Sequence, residues 1–128
     1  MSKKSKGINA ERELITLLWG HGISACRVAG SGSSHFPSPD IIAGNTLRKL
    51  AIECKTSSAE IRYIQKESID QLKVFANTFG AEPWIAMRFA RNNWLFISLD
   101  DLKDTGNYFS ISLENAKKKG FLIEELIN

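Results

Sequence analysis

The chain has 128 residues, of which 43% are hydrophobic and 24% charged, and a formal net charge of +3. That length and balance suit one domain with a real core, residues 1–128, and exclude a disordered polyelectrolyte. No apolar run is long enough to span a bilayer, and Met-Ser-Lys-Lys-Ser-Lys lacks the apolar segment of a signal peptide, so a cytoplasmic protein with no membrane partner is expected.

Residues 1–7 read as a flexible basic arm. Lys3, Lys4, Lys6, Arg12 and Arg27 all precede the first acidic strand motif, and no acidic residue comes before Glu11. This asymmetry suits a polyanionic substrate; a solubilising tail accounts equally well for the first six residues alone. Asn9 is a fitting N-cap for a helix running to about Trp19 and closed by Gly20 and Gly22. Glu11, Leu14, Ile15 and Leu18 follow helical spacing, so Glu11 shares the apolar face and calls for a partner. The alternative is a first-turn Glu facing the helix dipole, worth about 0.3–1 kcal/mol.

Residues 23–29 predict a first strand carrying Arg27, followed by the small-residue loop Gly30-Ser31-Gly32-Ser33-Ser34. Such a loop can approach a phosphate closely, but it lacks the spacing and lysine of a P-loop, so no nucleotide cofactor is indicated. Phe36-Pro37-Ser38-Pro39 stiffens the approach to Asp40.

Two strand-like runs come next, Pro39-Asp40-Ile41-Ile42-Ala43 and Ala51-Ile52-Glu53-Cys54-Lys55, around the polar turn Asn45-Thr-Leu-Arg-Lys49. A hairpin would bring Asp40 close to Glu53, and strand alternation puts Glu53 and Lys55 on one face. Two carboxylates held together repel unless a cation lies between them, and hard oxygen donors suit Mg²⁺ or Mn²⁺. On residue types alone the three are equally compatible with solvated strand positions, Glu53 and Lys55 forming a weak same-face pair. Cys26, in the first predicted strand, and Cys54, in the second run of the hairpin, lack metal-binding spacing and are expected as buried free thiols.

Residues 56–62 read as a polar, mobile stretch, and a helix is expected from about Ile64 to Phe79, closed by Gly80. Its apolar stripe is Ile69, Leu72, Phe75, Ala76 and Phe79, with Val74 outside it. Strands over 83–90 and 94–98 flank the turn 90–93; a short strand follows over 108–112, and 113–127 is expected to be helical in part. The order implies an α/β domain with a central mixed β-sheet flanked by helices. A Ser/His/Asp hydrolase fits poorly, because His21 and His35 fall in predicted loops with no evident orienting carboxylate.

A helix with an inward Glu, a strand opening on Asp and a strand carrying Glu-x-Lys is the ordering of the PD-(D/E)xK nuclease superfamily, with its restriction-endonuclease-like fold. Within it the chain closely resembles the archaeal Holliday junction resolvases, the Hjc and Hje group. The resemblance rests on Lys6-Gly7, Glu11-Arg12, Arg27 with Gly30-Ser31-Gly32-Ser33, Pro39-Asp40-Ile41-Ile42, Ile52-Glu53-Cys54-Lys55, Phe75 and Gly106-Asn107-Tyr108, and spans nearly the whole chain. It implies a homodimeric, Mg²⁺-dependent endonuclease (Mn²⁺ substituting) that nicks two opposing strands of a four-way DNA junction, in the cytoplasm at the nucleoid, of archaeal or archaeal-virus origin. It assigns metal coordination to Glu11, Asp40, Glu53 and the Cys54 carbonyl, water orientation or phosphate charge to Lys55, and the scissile phosphate to Ser31. Lys3, Lys4, Lys6, Arg12, Arg27 and Ser33 are the expected DNA contacts, and Leu72, Phe75 and Phe79 the expected dimer interface. Ser68 departs from the glutamine expected of close relatives, with Gln71 a candidate substitute.

The residue types fit phosphodiester hydrolysis on their own account: carboxylate-held metal can neutralise the phosphate, generate hydroxide and stabilise the leaving oxygen. The competing readings are another PD-(D/E)xK endonuclease, of repair or restriction type, and a non-catalytic protein that binds branched DNA. The small size without a recognition domain argues against the first, and the intact carboxylates and lysine against the second.

Overall fold

The structure is a computed structural model describing residues 3–30 and 35–127. Helix α1 (Lys3–Gly20) leads through β1 (Ser24–Arg27) into the hairpin of β2 (Ile41–Gly44) and β3 (Lys49–Ser57). Strand β4 (Ile61–Gln65), helix α2 (Lys66–Phe79), β5 (Glu82–Phe89) and β6 (Leu95–Ser98) follow. A 3-10 turn (Leu99–Asp101), β7 (Lys103–Asp104), β8 (Tyr108–Ser112), α3 (Leu113–Lys119) and α4 (Ile123–Leu126) complete the chain.

The central sheet has the order β1-β2-β3-β5-β6. Its one parallel pairing, β3 with β5, makes it mixed. Alternation along β3 divides two apolar layers. Leu50 and Ile52 face α1, packing with Leu14, Leu18, Ile41 and Phe96, whereas Ala51 faces α2 with Ile69, Leu72, Ile85 and Met87. The expected α/β architecture is therefore present, with helices on both faces.

The hairpin register has a local cause. Asn45 Oδ1 accepts from the Leu47 and Arg48 amides, each at 2.9 Å, and the Asn45 amide donates to the Arg48 carbonyl at 2.9 Å. A side chain on Gly44 would come within 2.7 Å of the Arg48 carbonyl, so the turn closes only over glycine. Arg48 then donates to both carboxylate oxygens of Glu82, at 2.9 and 2.7 Å, tying the turn to the start of β5.

Several expectations need correction. Helix α1 begins at Lys3 instead of Asn9, so residues 3–7, expected as an arm, form its first turns; lysines favour helix and nothing there stops it. Residues 56–62 are mostly strand: β3 runs to Ser57, and β4 pairs with β8 in a second sheet of order β4-β8-β7. Ile64 therefore lies in β4, which ends at Gln65, and α2 starts at Lys66. Cys26 is exposed on the edge strand β1, while Cys54 is partly buried against the α1-side core.

Candidate active site

Asp40 is held from both sides before its side chain is considered. Its carbonyl accepts from the Val28 amide at 2.8 Å, and its own amide donates to the Ile52 carbonyl at 3.0 Å. The β2–β3 ladder pairs Ile41 with Ile52, so one further step sets Asp40 opposite Glu53. Asp40 Oδ2 accepts from the Cys54 amide at 2.9 Å. In a strand, the N–H and C=O of one residue point to the same edge, so the Cys54 carbonyl also faces the Asp40 edge of β3. Beyond Ile52 the β2 ladder has ended, while β5 continues to pair β3 as far as Ser57 on the other side.

The electrostatics follow from this placement. Burial, then the charge of Asp40 and a hydrogen bond to its carboxyl, push Glu53 up to about 8, against the opposing pull of Lys55. Lys55 Nζ lies 3.7 Å from Glu53 Oε2 on the same strand face. Glu11 reaches the cluster from α1, with Arg27 Nη1 4.0 Å from its Oε1. Burial and the charge of Asp40 raise Glu11, and Arg27 opposes them. The Cys54 thiol is pushed well above its ordinary value by burial, then by Asp40, Glu11 and Glu53 in turn, so one side chain feels all three carboxylates.

As the side chains stand, no three acidic, histidine or cysteine groups among the described residues are close enough together to enclose an ion. Asp40 and Glu53 form an adjacent pair; Glu11 stands at its margin, turned to Arg27. Glu11 lies in the third turn of α1, which has no acidic residue in its first turn, so the helix dipole does not account for it. Two carboxyls close enough to share a proton are a pair that a divalent cation would keep ionised. The donor set therefore fits a hard metal ion.

Of the other expected residues, Arg12 and Lys6 are exposed on α1 and Arg27 is half-buried on β1. Ser31 and Ser33, and the side chains of Lys3 and Lys4, lie outside the described residues. Leu72, expected at an interface, is only 2% exposed and belongs to the chain's own core. Phe75 and Phe79 stack at 5.2 Å with an interplanar angle of 21°, Phe79 half exposed. Gln71 is exposed and its amide turns to Glu67 at 3.4 Å, so it does not replace a glutamine at position 68. His21, expected to lack a carboxylate, has Nε2 3.4 Å from Glu124 Oε1 and Nδ1 3.0 Å from the Leu17 carbonyl, away from the carboxylate pair.

A profile of the family described as "Archaeal holliday junction resolvase (hjc)" matches residues 2–128. This chain belongs to the archaeal Holliday junction resolvase family. A curated relative, the crossover junction endodeoxyribonuclease Hjc of Archaeoglobus fulgidus, is 42% identical over 123 residues, covering 96% of this chain and 90% of that one. The Hjc of Methanocaldococcus jannaschii is 39% identical over 109 residues, covering 85% of this chain and 77% of the relative. The solved structure of A. fulgidus Hjc superposes with a TM-score of 0.87 at 40% identity, covering 91% of this chain and 94% of that one. Nucleases of this resolvase kind are metal-dependent. No helix among the described residues is long and apolar enough to cross a membrane.

Sequence reasoning missed the groups that tie α1 to β5 and to the start of β6. Glu13 pairs with Arg88 on β5 and accepts from Trp94 Nε1 at 2.8 Å. These partners are more than 70 residues apart in sequence, and no local signal joins them.

Proposed function

We propose that this member of the archaeal Holliday junction resolvases is a single-domain, Mg²⁺-dependent endonuclease that nicks two opposing strands of a four-way DNA junction as a homodimer. The observation that carries the reading is the Asp40–Glu53 pair at the β3 edge that faces away from β5, with Lys55 beside it. Asp40, Glu53, Glu11 and the Cys54 carbonyl would hold the ion, and Mn²⁺, which also favours oxygen donors, would substitute. When bound, such an ion supplies phosphate neutralisation, a more acidic water and stabilisation of the leaving 3′-oxygen.

The chain's own groups do the rest. Lys55 orients the attacking water and adds positive charge beside the phosphate. Ser31 lies by the scissile phosphate on this reading, and Lys3, Lys4, Lys6, Arg12, Arg27 and Ser33 track the DNA backbone. Branch shape and phosphate geometry select the junction, and no nucleotide cofactor takes part. The stacked Phe75 and Phe79 centre a two-fold interface; two equivalent sites then meet a two-fold substrate, and paired nicks follow from symmetry. The protein acts in the cytoplasm, at the nucleoid.

The test is incubation with a labelled immobile four-way junction and with a linear duplex, in Mg²⁺ or in EDTA. Paired, symmetric nicks in the junction alone are expected, abolished by EDTA and by Asp40→Ala or Glu53→Ala with binding retained. Equal cutting of the duplex would indicate a general nuclease, and tight binding without cutting a binding module.

A further inference from the structure

One cluster of cations lies outside the carboxylate site, and of it only Lys6 has been given a part above, as a general contact to the DNA backbone. A cavity of about 200 Å³ opens where α1, the end of β3 and the β5–β6 turn meet, lined by Lys6, Thr56, Ser57, Ser58, Arg88 and Arg91 among others, none of them acidic. Arg88 is already neutralised by Glu13. Lys6 and Arg91 are exposed, and neither has an ion-pair partner among the described residues.

The backbone holds these groups in place. Lys6 stands two turns before Glu13 on one face of α1, the face that meets Arg88. The Ala90 amide donates to the Ser57 carbonyl at 2.9 Å, joining the ends of β3 and β5 across the cavity floor. Arg91 has φ 63°, a left-handed conformation that glycine or asparagine adopts more readily than arginine. The next residue fixes it there: the Asn92 amide donates to the Phe89 carbonyl at 3.0 Å, and its side chain to the Ala90 carbonyl at 2.9 Å. A strained, over-determined arginine facing an acid-free hollow suits an anion better than it suits folding.

Thr56 and Ser57 directly follow Lys55, so the cavity begins roughly 3–7 Å further along the strand. We propose that this hollow seats a second backbone phosphate of the strand being cut, within about three nucleotides of the scissile one, with Arg91 and Lys6 as its cationic contacts. Arg91 and Lys6 act as positioning residues: they set which phosphate reaches Lys55 and leave the chemistry to the carboxylate site. The proposal rests on the junction-cutting reading given above.

The experiment measures binding of the full chain to an immobile four-way junction in EDTA across a salt series, using R91G and K6A/R91G. Glycine suits φ 63°, so R91G is expected to melt no lower than the wild type, which separates a binding loss from misfolding. The double variant is expected to bind roughly tenfold more weakly, with a log–log salt slope shallower by about 1 per cavity. A scan with single neutral methylphosphonates should find one position near the cut whose neutralisation weakens the wild type but not K6A/R91G. Wild-type affinity and slope in the double variant, or equal methylphosphonate losses in both proteins at every position, would overturn the second-phosphate site and leave the nuclease reading intact. Failure of the wild type itself to bind the junction would overturn both.

Discussion

Asp40 and Glu53 face each other across the β2–β3 hairpin, close enough that Asp40 raises the Glu53 carboxyl through its charge and through hydrogen bonding. Such a pair is eased either by a proton on Glu53 or by a nearby positive charge. Burial and like-charge repulsion at this pair oppose folding while both carboxyls are ionised, unless a cation offsets them.

Glu53→Gln is therefore expected to stabilise the metal-free chain. The folded carboxyl is raised to about 8 from an ordinary 4.5, so its proton uptake supports the fold below pH 4.5 and that support is lost as pH rises through 8. Wild type should lose stability relative to Glu53→Gln across that window, by about 1–3 kcal/mol at its upper end. Urea unfolding in EDTA at several pH values measures it. A wild type that gains on the variant as pH rises would contradict the assignment.

Substitutions in α2 should separate core from surface. Leu72→Ala opens a cavity in the α2-side layer and should cost about 2–5 kcal/mol. Phe79→Asp, at a half-exposed position, should leave the unfolding midpoint nearly unchanged and convert the proposed dimer to a monomer in sedimentation. Dimerisation unaffected by Phe79→Asp would move the interface elsewhere.

Glu13→Leu removes the acceptor of a buried indole N–H and the partner of Arg88. An unsatisfied buried donor costs about 1–3 kcal/mol, so this exposed-looking glutamate should be more sensitive than its position suggests. Denaturation followed by tryptophan fluorescence gives the value, and Trp94→Phe in the same background should recover part of it.

The Arg48–Glu82 pair predicts a modest acid sensitivity. Its hydrogen bond to Arg48 holds Glu82 below the usual carboxylate range, so the contribution is present above an ordinary carboxylate pKa and disappears as pH falls through the lowered value. Both side chains are partly exposed, which limits the effect to about 0.5 kcal/mol and makes it salt-sensitive. Glu82→Gln should shift the acid-unfolding midpoint upward slightly, and less so in high salt.

What could be read from the sequence was mostly what is local. The turn at Asn45–Arg48 and the alternation of β3 are short-range, so the approach of Asp40 to Glu53 was legible before any coordinates. Strand β4 was hidden: Ile61 and Tyr63 carry strand-like residue types, but polar neighbours precede them and their partner β8 lies nearly fifty residues away. The start of α1 was misplaced because Asn9 is a plausible cap, yet the lysines before it sustain a helix equally well. Arg91 went unnoticed because an arginine in a turn is ordinary until its φ is known.

Glu53 and Lys55 ride on the one strand that β5 pairs in parallel from Leu50 to Ser57, above the fully buried Ile85 and Met87. Amides there should be among the last to exchange with heavy water. On the proposed mechanism scission would take place on the least deformable piece of the molecule, and the crossing DNA arms, rather than the enzyme's central sheet, would do the bending that brings a strand into reach.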